Sequence, residues 1–398
     1  MRIAMIGPFG LRPRGTMRVR ALPLARELVA LGHAVKMVMP PWHTPEEAPR
    51  KWNDAGVDLE YVALGPGLSP LSHLVVTLRL VRCALAWEPD VVHCFKPKAY
   101  AGFAAWVLWR MRGLRTTKAR LVVDADDWEG PGGWNDLQSY PRRLCKLFAW
   151  QERWGLGHSD AVTVASRTLQ SLVWSLGVTP TKVHYLPNGG GHPGPGDGSK
   201  VRDRLALGQA PVVLLYTRFF EYDPERVVAV FCQVLSQVPD ARLLVVGEAL
   251  FPEDGARFDR AVAKAGLGDN VARAGWVPQE ELADYFAASD VAIYPFDDTL
   301  VNRAKCAVKL VDLLAAGVAV VADAVGQNAE YIVHEETGLL VPSGDVCAMA
   351  AQVVHLLRDR ARRRTLASAA ALRISERYSW PVLARSALAA YGAAGAGT

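Results

Sequence analysis

Apolar residues fall along this chain in short bursts separated by amphipathic stretches of helical length, and the same rhythm runs through both halves. Arg2–Ile6 reads as a first strand, 7–15 as a turn region, and 18–32 as a helix with a 3.6-residue apolar period. HAVKMVMP at 33–40 is the next strand. Apolar runs at 57–64, 91–95, 121–124 and 161–165 then alternate with helix-length segments. Strand, loop and helix in succession build a parallel sheet, and this spacing predicts a doubly wound one. After Leu186 the pattern breaks into GGHPGPGDGS at 190–199, turn formers that bury almost nothing, so a hinge is expected at 189–200. The rhythm restarts with strand-like runs at 212–216, 242–246, 271–274, 291–294, 318–322 and 338–341. The expected fold is α/β: two doubly wound domains, 1–188 and 201–375, facing a cleft, with a helical tail at 376–398 that crosses back onto the first domain.

Length supports the division, because 398 residues exceed what one core usually organises. With 51% apolar and 21% charged residues the composition is that of a soluble α/β protein, and Gly 34 and Pro 25 imply many tight connections. The cysteines at 83, 94, 145, 232, 306 and 347 form no zinc-ligand spacing. Met1 runs straight into the first strand without the regions of a signal peptide, so buried thiols in a reducing cytoplasm are expected. A membrane-spanning helix needs about 20 apolar residues, and the run at 99–109 falls short. That run does place Trp106 and Trp109 ahead of Arg110, Arg112, Arg115, Lys118 and Arg120, which predicts a peripheral contact with the cytoplasmic membrane face. The other basic residues are dispersed and no nucleic-acid-binding module is present, so no nucleic-acid partner is expected.

Two doubly wound domains raise the question of a nicotinamide enzyme. Gly7, Gly10 and Gly15 do not fit G-x-G-x-x-G, and the second strand ends in Pro40-Pro41-Trp42 with no acidic ribose ligand, which argues against a dehydrogenase. The same loop, with Arg12, Arg14 and Arg18 ahead of a helix, suits an anion or a hydroxyl-rich ligand. The densest signal is 289–345. There Lys309 and Asp312 lie three apart on one helix face, a cation for phosphate beside a carboxylate able to accept two ribose hydroxyls. The strand at 318–322 runs into Asp323, Ala324, Val325, Gly326 and Gln327, where glycine exposes backbone N–H groups to an anion, and Glu330 follows in the next turn.

These segments, with IAMIGPFG, LARELVALGHAV, PDVVHCFKPKAYAG, SDAVTVAS, KVHYLPNG, LLYTR, LLVVGE and GWVPQEELADYFAASDVAIYPF, resemble the retaining glycosyltransferases of family 4 over nearly the whole chain. The resemblance implies the GT-B architecture, with Rossmann-like acceptor and donor domains. It also implies a nucleotide-sugar donor as co-substrate, no metal, no other cofactor, and a glycan, lipid-linked or small-molecule acceptor. On the donor side it implies that Arg218 contacts the diphosphate, that Asp312 stands where the family has a ribose-binding glutamate, and that Val325, Gly326, Gln327 and Glu330 complete the site. His93 is expected to contact the transferred sugar or acceptor, so His93, Arg218 and Lys309 are the catalytic candidates. Gly15, Asp126, Asp127 and Glu129 are the candidates for acceptor hydroxyls.

Two departures stand out. Ala304 occupies the position of the family's other motif glutamate, and FFEYD follows Arg218 where the family has a lysine, so Lys305 or Lys309 is expected to supply that charge. Asp124 and Asp126 form a D-x-D after a strand, which in another fold holds a metal; two successive doubly wound domains favour the metal-free plan. The rival readings are a decayed scaffold that binds without catalysing, a nucleotide-sugar epimerase, and a pyridoxal phosphate phosphorylase for which no Schiff-base lysine can be nominated.

Overall fold

The computed structural model describes residues 1–12, 15–65, 70–191 and 194–392; Arg14, His192, Pro193 and the end of the C-terminal tail lie outside the described residues. The chain forms two compact units. One comprises Met1–Gly189 with Ala304–Cys306 and the segment from Trp380 onward, and the other comprises Gly190–Arg303 and Ala307–Ser379.

The first unit is built on eight strands: β1 (Arg2–Ile6), β2 (Ala34–Met39), β3 (Arg50–Asp54), β4 (Val57–Tyr61), β5 (Val91–Phe95), β6 (Arg120–Ala125), β7 (Ala161–Val164) and β8 (Val183–Tyr185). Their spatial order is β3-β4-β2-β1-β5-β6-β7-β8, parallel except for the β3–β4 pair. Its helices are α1 (Leu22–Ala30), α2 (Pro70–Leu85), α3 (Ala99–Gly113), α4 (Trp134–Leu137), α5 (Arg142–His158) and α6 (Arg167–Ser175). β5 is buried at all five positions, as a strand covered on both faces must be, which is why VVHCF shows no polar alternation.

Two strands escape the apolar pattern. β3 (RKWND) is a polar edge strand, turned back onto β4 through Ala55 and Gly56, both with positive φ as a two-residue hairpin requires. β8 has only three residues. The cysteine expectation also needs correcting: only Cys94 is buried, Cys83, Cys145 and Cys306 are half-buried, and Cys232 and Cys347 on helices of the second unit are exposed.

The second unit holds β9 (Val212–Tyr216), β10 (Arg242–Val246), β11 (Val271–Gly275), β12 (Val291–Tyr294), β13 (Ala319–Asp323) and β14 (Leu339–Val341). They form a wholly parallel sheet in the order β11-β10-β9-β12-β13-β14. Side chains alternate between its two faces: Leu214, Leu244 and Val320 enter one core, while Val213, Val245 and Val321 enter the other. Asp223 and Asp345 cap the helices Pro224–Gln237 and Val346–Arg358 by accepting from backbone N–H groups.

The last helix, Trp380–Ala390, packs against α1 of the first unit and buries Trp380, Leu383, Ala384 and Ala387 in that unit's core. Gly189 makes this seat available, because a Cβ there would lie 2.8 Å from the Trp380 ring.

In each sheet the strand order reverses once, between β1 and β5 in the first unit and between β9 and β12 in the second. At such a switch point the loops leaving the carboxyl ends of neighbouring strands diverge and open a crevice for a ligand.

Candidate functional site

At the second unit's switch point, β9 delivers Thr217 and Arg218. Phe219, at φ 68°, turns inward to pack 5.2 Å from the Phe258 ring, and this kink leaves Arg218 exposed. The Thr217 hydroxyl fixes the turn by accepting from the Phe219 N–H and the Tyr222 hydroxyl, each at 2.8 Å. Gly247 at the end of β10 is obligatory beside it: φ is 112° and a Cβ would stand 2.1 Å from the Thr217 carbonyl oxygen.

Lys309 and Asp312 sit on the helix Val308–Ala315, whose opposite face buries Leu310, Val311, Leu313 and Leu314. Amphipathicity thus turns both charged side chains to the partly exposed face, with the Lys309 ammonium 5.7 Å from the Tyr216 ring centroid. Gly326 has φ 50°, and a Cβ there would meet the Arg303 Cα at 2.6 Å. Gln327 is fully buried and its Oε1 accepts from the Ala307 N–H at 2.8 Å, which locks the 325–327 turn to the residue before the helix carrying Lys309. Of the expected donor groups, Val325 and Gln327 therefore offer only backbone, since their side chains are committed to the interior. The Glu330 carbonyl accepts from the Tyr378 hydroxyl at 3.0 Å. Ala304 and Lys305 are both buried.

The sequence reading passed over Arg226 and gave Asp323 no role beyond opening the turn. Asp323, fully buried at the end of β13, accepts from Arg226 Nη1 at 2.8 Å and from the Phe296 N–H at 2.7 Å; burial raises its pKa and Arg226 opposes that rise. Arg226 Nη2 also lies 3.1 Å from Asp297, and Asn302 donates to the carbonyls of Glu221 and Asp297. The loops after β9, β12 and β13 are thereby tied together around one half-buried cation. A signal existed: Asp223-Pro224 marks a helix start and places Arg226 in its first turn, just beyond the FFEYD segment.

In the first unit the switch point gathers charge. β5 ends at Phe95, and Lys96 and Ala99, both with positive φ, turn two lysines inward. Lys96 Nζ lies 2.5 Å from Asp127, 3.8 Å from Asp126 and 3.7 Å from Glu129, and Lys98 Nζ lies 2.9 Å from Glu129. Burial pulls the Lys96 pKa down, but the three carboxylates outweigh it and hold the group cationic. Glu152 accepts from the Glu129 N–H with both oxygens; burial, reinforced by the Glu129 charge, pushes its pKa well up. The fold does bring Asp126, Asp127 and Glu129 together, but as partners of two lysines that the sequence reading did not single out. Thr16 donates to Asp126 Oδ2, while Asp126 Oδ1 and Glu129 Oε1 face Lys96 and accept no hydrogen bond among the described residues. Gly15 contributes its carbonyl, which accepts from the N–H groups of Arg18 and Val19 at 2.9 and 3.0 Å.

His93 requires a correction. It lies in the middle of β5, fully buried, with Nε2 3.1 Å from Thr163 Oγ1 and Nδ1 2.9 Å from the Tyr391 hydroxyl. Thr163 gives its single proton to Asp124 at 2.6 Å, so Nε2 donates to Thr163 and Nδ1 accepts from Tyr391. Burial, followed by the Arg20 charge, drives its pKa well below the usual value. A neutral ring with both nitrogens engaged holds this interior together rather than meeting a ligand. Asp124 likewise is no rim carboxylate: it is fully buried and receives Arg20 bidentately at 2.8 and 2.6 Å. Among the described residues no group of three or more His, Cys, Asp or Glu has a metal-holding arrangement, because the D-x-D carboxylates are taken up by Arg20, Thr16 and Lys96.

Solved structures share the fold of these two sheet-built units. Sucrose-phosphate synthase from Thermosynechococcus elongatus superposes with a TM-score of 0.74 at 23% identity, covering 96% of each chain. Anabaena HepE in complex with UDP and glucose gives 0.70 at 17% identity, covering 97% of this chain and 98% of its own. Residues 15–189 match the "Glycosyl transferase 4-like domain" model and residues 210–359 the "Glycosyl transferases group 1" model. The chain belongs to the family 4 (group 1) glycosyltransferases and has the GT-B fold.

Among its relatives, a GDP-mannose-dependent alpha-(1-6)-phosphatidylinositol monomannoside mannosyltransferase of Mycobacterium tuberculosis is 27% identical over 57% of this chain and 60% of its own length. A D-inositol 3-phosphate glycosyltransferase of Kribbella flavida is 26% identical over 95% of this chain and 90% of its own. Among the described residues no helix is long and apolar enough to cross a membrane.

Proposed function

We propose that this chain transfers a glycosyl group from a nucleoside diphosphate sugar to an acceptor hydroxyl, with retention and without a metal. The observation that carries the reading is the 325–327 turn. Gly326, where no Cβ fits, and the Gln327–Ala307 hydrogen bond hold that backbone against the start of the helix bearing Lys309 and Asp312. In this reading Arg218 and Lys309 stabilise charge developing on the departing diphosphate, and Asp312 accepts from ribose hydroxyls. The acceptor hydroxyl attacks from the face the diphosphate leaves, passing its proton to the leaving phosphate. In the first unit, Asp126, Asp127 and Glu129 would meet an acceptor hydroxyl as an ion-paired cluster around Lys96.

The two relatives named above take inositol-containing acceptors, which supports a polyol acceptor here, lipid-linked in one of the two cases. Purified protein should be stabilised thermally, in chelator, by one nucleoside diphosphate out of a panel, and Arg218→Ala and Asp312→Ala should each abolish the shift. Product analysis then distinguishes a new glycoside from an isomerised nucleotide sugar. A second reading, a binding scaffold without turnover, draws on Ala304 and on the missing cation at 219–223. Nucleotide binding with neither transfer nor donor hydrolysis supports that reading, and no stabilisation by any nucleotide refutes both.

A further inference from the structure

Three helices of the first unit lie side by side, with α3 packed between α2 and α5. On α2, Leu71, Leu74, Val75 and Leu78 are exposed at 73%, 51%, 39% and 47%, forming an i, i+3, i+4, i+7 stripe open to solvent. A soluble helix normally buries such a stripe. Trp106 on α3 and Trp150 on α5 are also exposed.

Charge on these helices is one-sided. They carry eight Lys and Arg and a single carboxylate, Glu152, which is buried. Arg79 and Arg112 are used internally, donating to the Ala63 carbonyl and to Asp160. The remaining six cations, among them Arg110, Arg142, Arg143, Lys146 and Arg153, face solvent.

We propose that the outward side of α2, α3 and α5 docks on a bilayer containing anionic lipid. Leucines and tryptophans enter the headgroup–acyl boundary, while arginines and lysine meet lipid phosphates. A second copy of this chain fits less well, because a twofold contact through this face would set like charges against each other. Nucleic acid leaves the leucine stripe without a role. The surface is distinct from both candidate ligand sites and its assignment does not depend on the transfer chemistry.

The test is co-sedimentation of the full chain with phosphatidylcholine vesicles, with and without phosphatidylglycerol. The expected result is binding only when phosphatidylglycerol is present, weakening as salt rises. Each cation near the surface contributes about fivefold, so Arg142→Ala/Arg143→Ala/Lys146→Ala should lose roughly a hundredfold in affinity. Leu74→Glu/Leu78→Glu should also abolish sedimentation. Both variants change exposed positions on separate helices, so an unchanged melting midpoint in either one keeps the test valid if the other misfolds. Equal binding to both vesicle types, full binding by a folded variant, or a stable dimer that Leu74→Glu/Leu78→Glu dissociates would each overturn the proposal.

Discussion

Replacing Asp124 with asparagine should be among the most destabilising single changes in the first unit. Arg20 and Asp124 are 1% and 0% exposed, and their guanidinium–carboxylate pair is bidentate. Arg20 also donates to the Leu186 carbonyl at 2.7 Å and to Asn188 Oδ1 at 3.1 Å, and Thr163 donates to Asp124. Asparagine preserves the shape and one acceptor but leaves a cation deep in the interior without a counter-charge, a loss of about 3–5 kcal/mol. For a domain of this size each kcal/mol moves the melting midpoint by about 2–4 °C, so a fall of roughly 6–20 °C is expected by scanning calorimetry. The neutral double variant Arg20→Met/Asp124→Leu should lie closer to wild type than Asp124→Asn, because it removes both desolvation costs together. A shift below about 2 °C for Asp124→Asn would mean that Arg20 finds water or another partner, and the account of this interior would be wrong.

Gly326→Ala forces a side chain into left-handed backbone and against the Arg303 Cα at 2.6 Å, so nucleoside diphosphate binding by calorimetry should weaken by at least about tenfold; unchanged affinity would detach this turn from the donor site. Arg226→Ala leaves Asp323 as an uncompensated buried carboxylate among the loops after β9, β12 and β13. Steady-state kinetics should show the donor KM rising by about an order of magnitude with a lower melting midpoint, whereas a midpoint drop with unaltered KM would limit the pair to a structural role. His93 is held neutral, so below the unfolded value of about 6.5 the unfolded chain binds a proton that the folded chain does not, and up to about 1.4 kcal/mol of stability is lost per pH unit. His93→Gln should flatten this acid-side slope in urea titrations and retain turnover within severalfold at neutral pH; a hundredfold loss of turnover would return His93 to the reacting centre.

Most strands were legible because each buries a short apolar run: VVLLY, RLLVV and VAIY stand in the fold where their hydrophobicity puts them. β3 was not, since an edge strand with polar residues is specified by its turn and its neighbour. The candidate site residues divide in the same way. Lys309 and Asp312 were readable because helical periodicity alone puts them on one face, and Gly326 because a turn between strand and helix asks for glycine. Whether a polar side chain faces ligand or interior depends on groups far away in the chain, and local pattern says nothing about those. His93 is closed off by Thr163 and Tyr391, Asp124 by Arg20, and Asp127 by Lys96, across separations from 31 to 298 residues. Local periodicity therefore determined the two doubly wound sheets and the outward faces of their helices. Only the packed interior decided which carboxylates and which histidine were already spent on buried partners, because an unpaired polar group there carries a desolvation penalty that only the assembled fold can offset.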